Sequence, residues 1–254
     1  DYYNGILKGK LASLCPGTTI IENATGLSPF NIQKSAFVLR NTFEHYPEGS
    51  VHIICVQSEY SEKSPHVIVK AKGHFFIGAD NGIFHLLLNS EPDRIVEPVS
   101  HRDSQKINEA QVFAEAAAAI IKDGDISAYG EEKKKIKEMI PFRATIEEDA
   151  ISGSIIFIDT YGNAISNITH DLFKRVFNNK KFQVAIRSNS NIIDHISPSY
   201  NNESVGDLLA VFNSLDLLEI GINGTNASEL LSLQAGDIVR IAAPGSSKKP
   251  GMLF

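Results

Sequence analysis

A chain of 254 residues with 43% hydrophobic and 21% charged residues has enough apolar material for one large core or two modest ones. Its formal charge of −6 argues against nucleic acid as the main partner, because a phosphate-binding surface is basic overall. No apolar run approaches the roughly 18 residues that a spanning helix needs, so no membrane contact is expected.

The chain opens on Asp1-Tyr2-Tyr3-Asn4 and not on a basic and then apolar stretch, so no secretory leader is expected. Cys15 and Cys55 sit inside apolar stretches without metal or redox spacing and read as small buried hydrophobes. A chain of this size needs no disulfide staple, which makes a reducing cytoplasm the expected setting.

In chain order, residues 18–22 form a β-branched run before Gly26 and Pro29 and read as a strand entering a loop. Residues 31–46 carry Ile32, Ala36, Phe37, Leu39 and Phe43 at helical spacing, with Asn31 or Ser28 as the natural cap. The near-continuous apolar run 51–56 suits a strand buried on both faces of a parallel sheet. Strands follow at 66–72 and 75–78, and Asp80-Asn81-Gly82 reads as a turn. Residues 110–122 are Ala-rich with an apolar stripe and predict a helix. Lys133-Lys134-Lys135 with Lys137 follows two glutamates and reads as a solvated helix face.

The charged stretch 131–149, containing Pro141, separates two textures. After it come short strands at 151–158, 182–186, 217–222 and 237–242, with little helical periodicity. The expected fold is therefore an α/β N-terminal domain with a mostly parallel sheet over 1–140, then a smaller β-rich barrel or sandwich over 150–254.

The eight histidines (45, 52, 66, 74, 85, 101, 170 and 195) never fall at ligand spacing, so no metal site is expected. Three segments carry chemistry. The first is Asp1-Tyr2-Tyr3-Asn4-Gly5 running to Lys8-Gly9, an acid and aromatics before a Gly-punctuated helix start. The second is Asp159-Thr160-Tyr161-Gly162-Asn163 with Ser166-Asn167-Ile168. There a carboxylate accepts hydrogen bonds, an aromatic face stacks on a planar ring, and an amide reads a donor–acceptor edge, although a β-turn alone uses the same Gly and Asn. The third runs from Asn213-Ser214 through Glu219 to Asn226-Ala227, a strand ending in a small-residue loop.

These segments, with Asp80-Asn81-Gly82 and in this order along essentially the whole chain, resemble the S-adenosylmethionine hydroxide adenosyltransferases, whose relatives include the fluorinating and chlorinating enzymes. Ser166 stands where that family usually has Thr. The resemblance implies a homotrimer that takes S-adenosylmethionine or adenosine as substrate or ligand, with no further cofactor. The ligand would lie between the N-terminal domain of one subunit and the C-terminal domain of its neighbour. It implies Asp1 at the methionine ammonium, Phe30 beside the ligand, and Asp159, Tyr161 and Asn163 along the adenine. Asn226 and Ala227 would contact the adenine edge, and Ser214 would approach the methionine carboxylate. It also implies a first strand, bearing a ribose-binding aspartate, just before Asp1.

The water-activating residues differ. Gln57 stands for the family's aspartate, Ser64 or Pro65 for its arginine, and Asn108 for its histidine. Neutral amides hold water by hydrogen bonds but take no proton at neutral pH. His66 and His101, near these segments, are the candidate substitutes and otherwise read as surface histidines. The expectation is an S-adenosylmethionine-binding protein with weak hydrolysis. A fully active hydrolase with substitute residues and a silent trimeric module are the alternatives.

Overall fold

The computed structural model describes residues 2–24, 26–98 and 108–246. It divides into two compact units, one ending at Pro141 and the other starting at Phe142.

The N-terminal unit begins with helix α1 (Tyr2–Leu14) and continues with α2 (Ile32–Arg40). Asn31 caps α2 by accepting from Lys34 N at 2.8 Å. The helical pattern of 31–46 breaks after Arg40, and its last apolar residue, Phe43, sits in a single 3₁₀ turn (Phe43–His45). Five strands form the sheet: β1 (Val51–Ile53), β2 (His66–Ala71), β3 (His74–Ala79), β4 (Arg94–Pro98) and β5 (Gly130–Glu132). Helix α3 (Ile83–Leu88) follows β3, and α4 (Glu109–Asp123) precedes β5. Helix α4 is framed by an Asn108 cap and a left-handed Gly124. The 18–22 run forms no strand, and its side chains are exposed.

The sheet order is β1-β3-β2-β4-β5, and only β1–β3 is parallel among the described residues. The mostly parallel sheet expected from the sequence is therefore corrected to a mixed one. The cause is local. Lys72 and Gly73 both take positive φ, 50° and 76°, the geometry of a two-residue hairpin turn that folds β3 back antiparallel on β2. Burial on both faces comes instead from two flanking cores. Ile68, Phe75 and Ile77 pack with Leu7, Leu11 and Phe113 from α1 and α4. Val67, Val69 and Phe76 pack with Ala36, Phe84 and Leu87 from α2 and α3.

Parallel pairing of β1 with β3 brings together two histidines that lie far apart in sequence. His52 Nε2 is 3.2 Å from His74 Nδ1, beside Phe43, Tyr46 and Phe76. Both are buried, so one ring donates to the other and the pair is neutral. Burial, aided by the charge His74 would carry, pushes the His52 pKa down to about 4. An unfolded histidine protonates near pH 6.5. Between those values the unfolded chain binds the extra proton, so stability present above pH 6.5 falls as the pH drops toward 4. The expected loss from this residue is roughly 3 kcal/mol over the whole window. Thermal unfolding between pH 7 and 4.5 checks it: His52→Phe should flatten the acid decline, and an unchanged slope would refute the assignment.

The C-terminal unit is antiparallel throughout its described pairings. Its strands are β6 (Thr145–Glu147), β7 (Ala150–Ile158), β8 (Ala164–Thr169), β9 (Gln183–Ile186), β10 (Ser188–Ile193), β11 (Leu208–Phe212), β12 (Leu217–Ile222) and β13 (Ile238–Ala242). They run in the order β10-β9-β13-β7-β8-β12-β11, with β6 added on β7. Just beyond β10, Ser197 N donates to Ala210 O of β11 at 2.8 Å, so the sheet curls toward a closed, barrel-like form. Ile151, Ile168, Val184, Leu218 and Ile241 fill its interior. Two short helices, α5 (His170–Phe177) and α6 (Ala227–Leu230), complete the unit. Among the described residues no helix is long and apolar enough to cross a membrane.

Candidate ligand site

In the N-terminal unit, β1 and β3 run side by side and their C-terminal ends carry the loops of interest. Asp80-Asn81-Gly82 is a bend leading from β3 into α3, and its polar side chains bind the neighbouring backbone. The buried Asn81 amide donates to Val56 O and Gln57 O, both at 3.1 Å, while its oxygen accepts from Ile83 N at 3.2 Å. Gln57, held at a φ of 46°, directs its own amide to Phe30 O at 3.3 Å. The Phe30 ring is 77% exposed. Gln57 and Phe30, 27 residues apart in sequence, are thus neighbours.

Asn108 behaves as a helix cap, its side-chain oxygen accepting from Gln111 N at 3.2 Å. His66 is not a surface group: it is 1% exposed, packed against Tyr60 and Phe113, and its Nε2 donates to Ser58 O at 2.7 Å. Burial lowers its pKa, which suits a neutral ring tying down the 57–65 loop. Asp1 and His101 lie outside the described residues. Cys15 is buried as expected, but Cys55 is exposed.

The C-terminal unit assembles a compact turn. Asp159 spends both carboxylate oxygens on it: Oδ1 accepts from Tyr161 N at 2.9 Å and Asn163 N at 2.8 Å, and Oδ2 from the Asn163 amide at 3.0 Å. This leaves the Tyr161 ring 79% exposed above a buried Asn163. Gly162 sits at a φ of 83°, and a Cβ there would fall on the Asn226 carboxamide. Ser228 N donates to Gly162 O at 2.8 Å, so the turn and the start of α6 form one body. Asn226 caps that helix, its oxygen accepting from Glu229 N and Ser228 Oγ, each at 3.0 Å. Ala227 is fully buried and offers no side-chain surface to a ligand.

The structure thus groups Asp159, Tyr161, Asn163 and Asn226. Ser214 is separate: it is exposed in the β11–β12 turn. Since Leu217 pairs with Thr169 and Ile220 with Ala164, the length of β12 lies between Ser214 and the 159–163 turn, about 17 Å by strand rise. Ser166 and Asn167 have structural work. The register of β12 against β8 shifts between Leu217 and Glu219, and the buried Ser166 hydroxyl donates to Leu218 O at 2.9 Å. Asn167 Oδ1 accepts from Ser154 N at 2.9 Å.

Sequence reasoning missed Tyr200. Its hydroxyl donates to buried Glu219 at 2.8 Å, and the other Glu219 oxygen accepts from the Asn213 amide at 2.9 Å. Burial first, then Glu219, raises the Tyr200 phenol, and the charge of Asp159 adds to the rise. Tyr200 also packs where a Cβ on Gly221 would sit. The signal was present: a lone acid inside the apolar strand Leu217–Ile222 demands a buried partner, and a strand glycine marks a close approach.

Comparison with known proteins agrees with this two-part arrangement. Models for the N-terminal and C-terminal domains of SAM hydroxide adenosyltransferases match residues 1–130 and 153–240. The chain belongs to the SAM hydroxide adenosyltransferase family. A protein of Methanocaldococcus jannaschii named (R)-S-adenosyl-L-methionine hydrolase is 25% identical over 252 residues, 94% of this chain and 90% of the relative. One of the same name from Thermus thermophilus is 25% identical over 256 residues, 95% and 94% of the two chains. Among solved structures, an uncharacterized conserved protein from Thermotoga maritima superposes with a TM-score of 0.83 at 22% identity over 95% of each chain. A conserved hypothetical protein from Thermus thermophilus gives 0.72 at 24% identity over 95% and 94%. Both structural likenesses concern the fold alone.

Proposed function

We propose that this chain binds S-adenosylmethionine or adenosine and hydrolyses S-adenosylmethionine to adenosine and methionine only weakly. The family and the names of its curated relatives support the ligand. One observation carries the weak turnover: at Gln57 and Asn108 the side chains are neutral amides already engaged with Phe30 O and Gln111 N. Such groups orient water but do not deprotonate it, and losing a general base costs ~10²–10⁴-fold in rate. Positioning alone sustains some hydrolysis, because the sulfonium is a good leaving group.

In this reading the adenine ring stacks on Tyr161 and is read by Asn163, with Asp159 fixing both from behind. Incubation with S-adenosylmethionine, followed by chromatography for adenosine, separates weak turnover from full activity and from none. Titration calorimetry tests the binding mode. Asn163→Ala should weaken binding about ten-fold or more, as expected when a buried reading group is lost. No binding by the wild type, or equal binding by the variant, counts against the assignment. The same reading includes a homotrimer, for which light scattering should return three times the 27.8 kDa of one chain. A monomer would remove that part of the proposal.

A further inference from the structure

The N-terminal unit holds a second concave surface whose chemistry suits a different ligand. A cavity of about 460 Å³ is lined by Lys63, Lys133, Lys135 and Lys137, with Glu62 and Asp80 as its acids. Its wall is not a helix face, as the lysine run suggested from sequence. It is an irregular segment pinned at three points. Asp80, 1% exposed, accepts from Lys133 Nζ at 2.6 Å and from Lys137 N at 2.9 Å. Between them the Ile136 side chain is buried in the core beneath the sheet.

That frame neutralises Lys133 and leaves three exposed lysines, Lys63, Lys135 and Lys137, around one open hollow. Lys137 Nζ reaches only neutral acceptors, Lys63 O at 3.4 Å and Ser64 Oγ at 3.5 Å. Among the described residues, no carboxylate lies within 4.0 Å of the Lys63, Lys135 or Lys137 ammonium. Four lysines against two acids leave the cavity at +2 in a chain of −6. Like charges gathered around one hollow repel until a counter-charge sits among them, and ammonium groups favour compact oxyanions with several acceptor oxygens. A sulfonium cation would be repelled from the same space.

The geometry points to an oxyanion site for a doubly charged phosphate group, beside the loop in which Ser64 or Pro65 stands for the family's arginine. The phosphate is either free or carried by a small metabolite. Calorimetric titration of the whole chain with orthophosphate, pyrophosphate and AMP, at constant ionic strength set by sodium chloride, tests it. Saturable binding that weakens at least about ten-fold in Lys63→Gln/Lys135→Gln/Lys137→Gln is expected, since each lost ammonium removes a charge-assisted bond. Tighter binding of AMP than of orthophosphate would identify a carried phosphoryl group, and the reverse a free ion. Should the triple variant misfold, Lys135→Glu alone, with a reversed charge on an exposed side chain, replaces it. No saturable binding of any of the three probes by the wild type, or equal affinities in wild type and variant, overturns the site.

Discussion

Gln57→Asp combined with Asn108→His is expected to raise S-adenosylmethionine hydrolysis at least ~10²-fold over the wild-type chain, the low end of a general-base contribution. The backbone accommodates the first change: Gln57 has a φ of 46°, and Asp is among the residues that tolerate the left-handed region. It gives up only the bond to Phe30 O. The second change removes the cap of α4 and should cost about 1 kcal/mol of stability. Each single change should gain far less than the pair, because groups that act as a unit are not additive. Adding Ser64→Arg should raise the rate again. A working pair also alters the pH profile, adding an acid limb that two amides cannot produce. Initial rates by chromatography between pH 5 and 9 check both statements. Wild-type turnover equal to that of a curated hydrolase, or a folded and ligand-binding double variant with no gain, would sink the idea.

Gly162→Ala is expected to be the most damaging single methyl group in the C-terminal unit. It incurs the left-handed penalty of ~1–2 kcal/mol and displaces the Asn226 carboxamide, whose cap on α6 is worth about 1 kcal/mol. Adenosine binding should fall well over ten-fold as Tyr161 and Asn163 lose their common support. Gly206→Ala is the control, since it has a φ of 94° but nothing within 4 Å of the added carbon. Chemical denaturation and calorimetry on both variants decide the matter: equal losses would mean that the contact with Asn226 carries no weight.

Much of the fold could be read from sequence where one residue settles a local question. Asn31, one of two candidate caps, does cap α2, and the Ala-rich run 110–122 is α4, whose Asn108 cap reads in the sequence instead as the place of a lost histidine. The strand direction in the N-terminal unit was not legible in the same way. Apolar runs such as Val67–Val69 report two-sided burial, which α1 and α4 on one face and α2 and α3 on the other provide regardless of direction, and only the 51–53 strand pairs parallel as expected. The hairpin was written instead in the Lys72-Gly73 pair. Helix α5 escaped although Leu172, Phe173, Val176 and Phe177 recur at helical spacing and pack on the core, because the run is only eight residues long between strands. At the candidate site, the 159–163 cluster was evident from its residue types. Tyr200 was not, because its meaning depends on Glu219 and Gly221 across the barrel.

The saturation of Asp159 has a consequence for binding thermodynamics. Three donors from its own turn already occupy the carboxylate before any ligand arrives. The backbone at Tyr161 and Asn163 is therefore ordered in the free protein, and a planar ring settling there incurs little of the ordering entropy that a loose loop would exact. Association should then be limited by diffusion and orientation and not by loop closure, with a single kinetic phase. The amide protons of Tyr161 and Asn163 should exchange slowly in the unliganded chain and change little on saturation, the signature of a rigid receptor.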